Sequence, residues 1–315
     1  MRLGLLSTAE INKMLLQGVP DGVEIAAVAS RDGAKAQAYA HEHGIERSHA
    51  SYEALLDDDA IDAVYISLPN GLHHEWTLKA IEAGKHVLVE KPYSRRPAEV
   101  EDAWDAADRA GIVVMEAFMW RHHPQAALAR SLVRDGAIGR LRLIRATFSF
   151  PLLELDNIRM APDLDGGALM DVGCYCVSGS RLLAGEPEHV FGEQVLGETG
   201  VDVDFHGTLR FRDDVVAQFD ASFTVPERQR LEAVGDGGTL VLEAPWRPDK
   251  GGRVLLNGEP VDVPTADSYG LELTNLAAAI AGDAEPLLGR DDALAQARTI
   301  DALYRSAESG EIVRL

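Results

Sequence analysis

Short apolar runs alternate with amphipathic stretches along the first third of the chain. "RLGLLS" predicts a strand and "AEINKMLLQGV" a helix; "VEIAAVAS" and "DGAKAQAYAHEHG" repeat the pair. A short helix after Ser51 precedes the strand "DAVYISL", the helix "HHEWTLKAIEAG", the strand "KHVLVE", the helix "PAEVEDAWDAADRAG" and the strand "IVVMEAF". Strands this uniformly apolar are buried on both faces, and their alternation with helices predicts a parallel sheet covered on both sides. The fold class is therefore α/β, a doubly wound domain whose strand ends converge on one ligand-binding edge.

The pattern changes near residue 120. A helix over 124–135 leads into "RLRLIRATFSF", which alternates as a strand with one buried face. After a helix around "ALMDVGCYCVSGSRLLAG", six strand-like runs follow with turns and no helices between them, which predicts a mostly antiparallel sheet. Helices near 271–281 and 291–309 end the chain. The division expected from this change is 1–120 and 121–315, the second part being an α+β domain. "GTLRFRDDVVAQFDASF" places apolar residues on both faces of its strands, which suits a sheet covered by a second subunit.

With 315 residues, 46% of them hydrophobic, the chain can bury two cores without disulfides. Cys174 and Cys176 are too close in sequence for an ordinary disulfide framework, so both are expected as thiols in a cytoplasmic protein. A formal charge of −21 argues against nucleic acid or an anionic membrane as partner. Six of the 30 basic residues are Lys, which singles each out, because Lys can be tuned to exchange a proton and Arg cannot.

"VLVEKP" ends a buried strand in a carboxylate, an ammonium and a proline at the carboxyl edge of the sheet, which marks Lys91 as a catalytic candidate. The turn after the first strand of a dinucleotide fold ordinarily carries three glycines; here those positions hold Ser7, Ala9 and Asn12. Ser7 is expected to donate to a phosphate, and Asn12 to hold the helix slightly further out. The second strand ends at Ser30, with Arg31 after it and Lys35 one turn on, the arrangement of a 2′-phosphate site and so of NADP rather than NAD. Leu68, Pro69 and Asn70 break the third buried strand ahead of His73 and His74. A metal site on His73, His74, His122 and His123 is disfavoured, since no carboxylate or Cys stands beside them at ligand spacing.

"LPNGLHHEW", "GKHVLVEKP" and "DLDGGALMDVGCY" together resemble the Gfo/Idh/MocA family of NAD(P)-dependent oxidoreductases over nearly the whole chain. The resemblance implies a Rossmann domain over 1–120 and a substrate-binding, oligomerising domain over 121–315. It further implies a Lys91–Pro92 peptide that is often cis, and a cofactor site drawn from Ser7, Thr8, Ala9, Ile11, Ser30, Arg31, Lys35, Leu68, Pro69, Asn70, His73, Glu90, Lys91 and Arg121. Where many members have a His, Tyr175 follows Asp171-Val172-Gly173-Cys174. That substitution and "MEAFMWRHHPQ" resemble the branch of aldose and dihydrodiol dehydrogenases and ketosugar reductases.

Hydride transfer from a carbinol requires its hydroxyl proton to leave. A free Tyr has a pKa of about 10, and a neighbouring Lys⁺ favours the phenolate, so Tyr175 is the expected base. Lys91 would donate to the reacting oxygen. Asp171, four residues before Tyr175 on one helical face, would orient substrate or Lys91. Trp120, His122 and Asn157 are expected to bind substrate, with Asp156 and Arg159 nearby.

The expectation is an NADP-preferring enzyme, with NAD as the other possible cofactor, acting on a sugar or cyclic polyol as a homodimer or homotetramer. Its rivals are a ketosugar or dicarbonyl reductase and a non-catalytic sensor of the same fold.

Overall fold

A computed structural model describes residues 1–152 and 154–315. It resolves into two compact units, the first comprising Met1–Ser94, Ala98–Met119 and Tyr269–Leu294, the second Arg95–Pro97, Trp120–Ser268 and Ala295–Leu315. The division expected at residue 120 is thus not a single cut. The return of Tyr269–Leu294 to the first unit is secured by the Glu116 N–H donating to the Leu288 carbonyl at 3.0 Å, and by Arg290 pairing with Asp105 at 2.6 Å.

In the first unit the strands are β1 (Arg2–Leu5), β2 (Glu24–Ala29), β3 (Arg47–His49), β4 (Ala63–Ile66), β5 (His86–Glu90) and β6 (Val114–Ala117). Among the described residues they form one parallel sheet in the order β3-β2-β1-β4-β5-β6. Every residue of β4 and β6 is buried, Glu116 of β6 among them. The crossovers are α1 (Asn12–Leu16), α2 (Gly33–His43), α3 (Tyr52–Leu56), α4 (His73–Glu82) and α5 (Pro97–Ala110). The strand order reverses between β1 and β4, and ligands of such sheets bind outside the carboxyl ends at that point.

The second unit opens with α6 (Pro124–Arg134) and builds a mixed sheet. Its strands are β7 (Leu141–Ser149), β8 (His189–Leu196), β9 (Asp202–Arg210), β10 (Val216–Ser222), β11 (Arg228–Gly235), β12 (Thr239–Leu242), β13 (Val254–Leu256), β14 (Glu259–Val261) and β15 (Val313–Arg314). Their order is β14-β13-β12-β11-β7-β10-β9-β8-β15, antiparallel except for the parallel pair β7–β10. α7 (Cys174–Ala184) packs on one face of the sheet, over β7, β10 and β11. α8 (Ser268–Ala281) and α9 (Arg290–Ser309) complete the helices.

Gly179 of α7 lets the helix approach closely, since a Cβ there would stand 2.6 Å from the Trp246 ring. Trp246 is itself pinned by its Nε1–H donating to the Thr147 carbonyl at 3.0 Å. The opposite face of this sheet carries a groove of about 500 Å³ lined by Arg145, His206, Gln218, Asp220, Arg228 and Arg230. That face is more polar than the sequence pattern predicts. In β10 the inward set is Ala217, Phe219 and Ala221, and Gln218 and Asp220 point the other way with Val216. Among the described residues no helix is long and apolar enough to cross a membrane.

Candidate active site

Lys91 follows directly on β5, at the carboxyl edge of the first sheet, and is partly exposed. The structure fixes its flanks through the main chain. On one side the buried Tyr65 of β4 donates its hydroxyl to Glu90 Oε1, and burial first, then the Glu90 charge, hold the phenol far above its usual pKa. On the other, the Tyr93 N–H donates to the buried Glu116 carboxylate at 2.7 Å. The Lys91–Pro92 peptide is cis.

His73, fully buried at the start of α4, lies between two carbonyls: Leu68 O is 2.8 Å from Nε2 and Pro92 O is 3.1 Å from Nδ1. Two acceptors suit a ring protonated at both nitrogens. Burial opposes that charge, as does the Lys91 cation, and the pKa is held below the usual range. The neutral ring keeps the shorter bond, through Nε2–H to Leu68. His73 thus sits between the turn after β4 and the segment after Lys91. It is placed to support the cofactor edge, not to meet a ligand itself.

The turn after β1 replaces its glycines with a stitched loop. Asn12 is fully buried and its Nδ2 donates to the Ser7 carbonyl at 2.8 Å, so the third fingerprint position closes the loop on itself. Ser7 Oγ lies 3.0 Å from the Ser67 carbonyl and 2.7 Å from Ser67 Oγ, and it accepts the Ala9 N–H. The expectation that Ser7 donates to a phosphate is corrected here: its single proton is taken within the protein. What remains for a phosphate is the backbone around Thr8, Ala9 and Ile11, all partly exposed.

At the tip of β2, Ser30 is buried and its hydroxyl accepts the Asp32 N–H at 3.2 Å. Asp32 caps α2 by accepting the N–H groups of Ala34 (2.9 Å) and Lys35 (3.2 Å). Its carboxylate is thereby committed to the helix end. Arg31 and Lys35 are exposed, and neither side chain has a hydrogen-bond or ion-pair partner among the described residues. Leu68 is buried; Pro69 and Asn70 stand partly exposed where a one-turn 3₁₀ helix leads into α4.

In the second unit Asp171 sits in a π-helical turn, Leu169–Gly173, that runs straight into α7. The i→i+5 turn inserts a residue before the regular helix, so the uninterrupted α-helix assumed for Asp171 and Tyr175 is corrected. Such bulges recur at functional sites. Arg159 Nε donates to Asp171 Oδ2 at 2.6 Å. Tyr175, 8% exposed, packs edge-on to Phe148 (5.3 Å between centroids) and beside Trp246 (5.9 Å).

Trp120 is fully buried and packs edge-to-face with Trp246 at 5.0 Å, so the stacking surface expected for a sugar is not exposed. Arg121 donates to Ser178 Oγ at 3.3 Å, inside the second unit. His122 is driven to a pKa of about 4, by burial first and the Arg121 cation second, and is therefore a neutral ring at neutral pH. Asn157 Oδ1 accepts the Arg159 N–H at 3.0 Å, capping a 3₁₀ turn, while its amide nitrogen is left for other partners. Among the described residues no group of His, Cys, Asp and Glu is arranged to hold a metal ion. Cys174 and Cys176 are buried free thiols, the second held far above its usual pKa by burial.

Sequence reasoning missed the groups that support these residues: Tyr65 and Glu116 in the first unit, Asp202, Tyr304, Arg95 and Arg96 in the second. All are contacts between residues distant in sequence. The one local trace of them is the pair Gly166-Gly167 ahead of Asp171.

Residues 4–118 match a family model described as the oxidoreductase family, NAD-binding Rossmann fold, and residues 126–241 match the GFO/IDH/MocA C-terminal domain. The chain is 41% identical to D-xylose 1-dehydrogenase (NADP(+)) 2 of Haloferax volcanii, covering all of both chains. It is 37% identical to dTDP-3,4-didehydro-2,6-dideoxy-alpha-D-glucose 3-reductase of Streptomyces violaceoruber, over 83% of this chain and 78% of that one. Among solved structures, aldose-aldose oxidoreductase from Caulobacter crescentus, complexed with glycerol, superposes with a TM-score of 0.90 at 27% identity, over 100% of this chain and 99% of that one. A 3-ketoreductase from Actinomadura kijaniata, complexed with NADP and TDP-benzene, gives 0.91 at 29% identity over 97% of each chain.

Proposed function

The chain belongs to the Gfo/Idh/MocA family of oxidoreductases, and on that premise we propose how its own residues carry out the reaction. It is an NADP-dependent oxidoreductase that acts on the carbinol or carbonyl of a sugar or polyol. The observation that carries this reading is the full-length match to an NADP-dependent xylose dehydrogenase, in a chain whose Lys91 directly follows β5 at the carboxyl edge of the first sheet.

The residues present fit NADP. Arg31 and Lys35 are two cations without acid partners at the end of β2, suited to a 2′-phosphate, and Asp32, the acid beside them, is occupied in capping α2. When bound, NADP supplies the hydride acceptor or donor. The backbone of Thr8, Ala9 and Ile11 would take the pyrophosphate, Leu68, Pro69 and Asn70 would flank the ribose, and Arg121 belongs to the same proposed set.

Lys91 donates a hydrogen bond to the reacting oxygen and offsets the negative charge that grows there. Tyr175 holds the proton that leaves this oxygen in oxidation and returns it in reduction. Asp171, held by Arg159, orients the substrate, with His122 and Asn157 as neutral hydrogen-bonding groups. Trp120 shapes the site by packing.

A second reading, reduction of a ketosugar, is favoured by the 3-ketoreductase relative, and the same residues serve it in reverse. We propose a homodimer or homotetramer through the polar face of the second sheet, and a cytoplasmic setting that keeps both thiols free. A monomer by light scattering at micromolar concentration would refute the first.

Calorimetric titration with NADP⁺ and NAD⁺ tests the cofactor assignment. NADP⁺ should bind preferentially, and Arg31→Ala should weaken it roughly tenfold to a hundredfold, the range of a charge-assisted hydrogen bond. Preference for NAD⁺ would remove Arg31 from the site. A panel of aldoses and ketoses, with D-xylose first, then assigns the substrate.

A further inference from the structure

One buried carboxylate is absent from the reaction described above, and it belongs to the turn that carries two of the reacting groups. Asp202, the first residue of β9, is 3% exposed. Its Oδ2 accepts the Leu169 N–H at 2.6 Å, and its Oδ1 accepts the Tyr304 hydroxyl of α9 at 2.9 Å. Leu169 opens the π turn that holds Asp171 and leads to Tyr175. A buried carboxylate is costly in an apolar interior, and here its two bonds fasten the first N–H of that turn.

The backbone beside it is shaped for the contact. Gly167 has φ +124, and a Cβ there would stand 2.1 Å from Asp202 Oδ1. The Gly167 carbonyl then accepts the Asp171 N–H at 3.0 Å. The Arg95 guanidinium lies over the Tyr304 ring, 4.6 Å from its centroid. Arg96 makes a two-pronged ion pair with Asp165, at 2.6 and 2.9 Å, two residues before Gly167. Arg95 and Arg96 follow Lys91 by four and five residues in the chain. The segment 165–171 is thus gripped at Asp165, Leu169 and Asp171, the first and last grips being ion pairs and the middle one the Asp202–Tyr304 couple.

We infer that Asp202 and Tyr304 are positioning residues for the reaction, fixing the π turn from which Asp171 and Tyr175 project. This rests on the assignment of Tyr175 as the proton-holding group. Neither residue touches substrate or cofactor. They act through the Leu169 amide, so their effect falls on the geometry of the chemical step and leaves NADP⁺ binding alone. A reacting group displaced by about 1 Å loses roughly a hundredfold in rate, which sets the scale.

The test compares wild type, Asp202→Asn, Tyr304→Phe, Tyr175→Phe and the doubles carrying Tyr175→Phe, with D-xylose and NADP⁺ and with folded protein counted by calorimetric NADP⁺ stoichiometry. Asp202→Asn cannot accept both bonds through one carbonyl oxygen with the original geometry. It should lower kcat roughly tenfold to a hundredfold. Tyr304→Phe, which only deletes a hydroxyl, should lower it roughly three- to tenfold. KM for NADP⁺ should stay within about twofold in both, as expected for an effect confined to the chemical step.

In the Tyr175→Phe background both losses should shrink, because there is no longer a hydroxyl to position. Losses that multiply instead, or a melting temperature that falls with kcat unchanged, would overturn the inference and leave the oxidoreductase reading intact. Full activity in Tyr175→Phe would overturn the proton assignment and this inference together. Mass-spectrometric amide exchange over 165–175, which needs no turnover, should be faster in both Asp202→Asn and Tyr304→Phe; unchanged exchange would overturn the inference by itself.

Discussion

The two units hold their proposed reacting groups in different ways. In the first, Lys91 is set by strand ends: Tyr65 on Glu90, Glu116 on the Tyr93 amide, and His73 between the Leu68 and Pro92 carbonyls. These partners lie on β4, β6 and α4, the neighbours of β5 in a sheet that the chain's alternation already dictates. In the second, the turn bearing Asp171 is held by Asp202, 33 residues on from Leu169, and Tyr304, 102 residues beyond that. A parallel sheet supplies its catalytic edge as a by-product of topology. A helix entered from a loop has no such edge, and needs a carboxylate brought from elsewhere.

The largest effects should come from the proposed reacting groups themselves, Lys91 in one unit and Tyr175 in the other. Lys91→Met and Tyr175→Phe should each lower kcat by roughly 10²–10⁴-fold, the range for a lost proton-transfer or charge-stabilising group. Calorimetric NADP⁺ binding should survive Tyr175→Phe unchanged, and an affinity loss beyond about tenfold there would break the separation of roles.

Next in size, His73→Ala leaves the buried Leu68 carbonyl without its donor. At about 1–3 kcal/mol for an unsatisfied group, urea unfolding should show a loss of roughly 2 kcal/mol. Stability within 0.5 kcal/mol of wild type, on the order of a surface substitution, would show that His73 is not what fastens this edge.

The second unit's counterpart is pH-dependent. Burial holds the Asp202 pKa at about 6, against the pull of its two hydrogen bonds. The native state therefore binds this proton more tightly than the unfolded chain, whose Asp titrates near pH 3.9. The stability cost of ionising Asp202 is full above about pH 6 and is relieved as the pH falls toward 4. Wild type should gain roughly 1–2 kcal/mol relative to Asp202→Asn between pH 7.5 and pH 5, read by urea unfolding of both. A difference that is flat with pH, or runs the other way, would mean that Asp202 titrates normally.

The smallest effect belongs next door. Arg305 neighbours Tyr304 on α9, and its ion pair with Asp301 is solvent-exposed. Arg305→Ala should cost only a few tenths of a kcal/mol in thermal unfolding and leave kcat untouched. A larger loss would mean that α9 as a whole, and not its buried hydroxyl, carries the effect.

Much of the site was legible because it is local. "VLVEKP" places two charges at the end of a buried strand, and "ASRDGAK" places the cations Arg31 and Lys35 at the end of another, so position follows from the pattern. Ser7 shows where legibility stops. Its place in the loop follows from the sequence, but Ser67 takes its proton, and that pairing exists only once β1 and β4 lie side by side. Trp120 is similar: an aromatic where the strand pattern of the first domain ends suits a sugar until the fold buries it against Trp246.

The sequence by itself determined the order of strands and helices, the doubly wound first sheet, the largely antiparallel second one, and the positions of Lys91, Arg31, Asp171 and Tyr175 along them. Period and turn chemistry act over a few residues, and those features need nothing more. Tertiary structure alone decided which polar groups remain available and which are spent, and it assigned Tyr269–Leu294 to the first unit. It also brought Asp202 and Tyr304 to the turn before Tyr175. Burial turns a side chain's partner into the main fact about its chemistry, and a partner 33 or 135 residues from Leu169 leaves no mark on the local pattern.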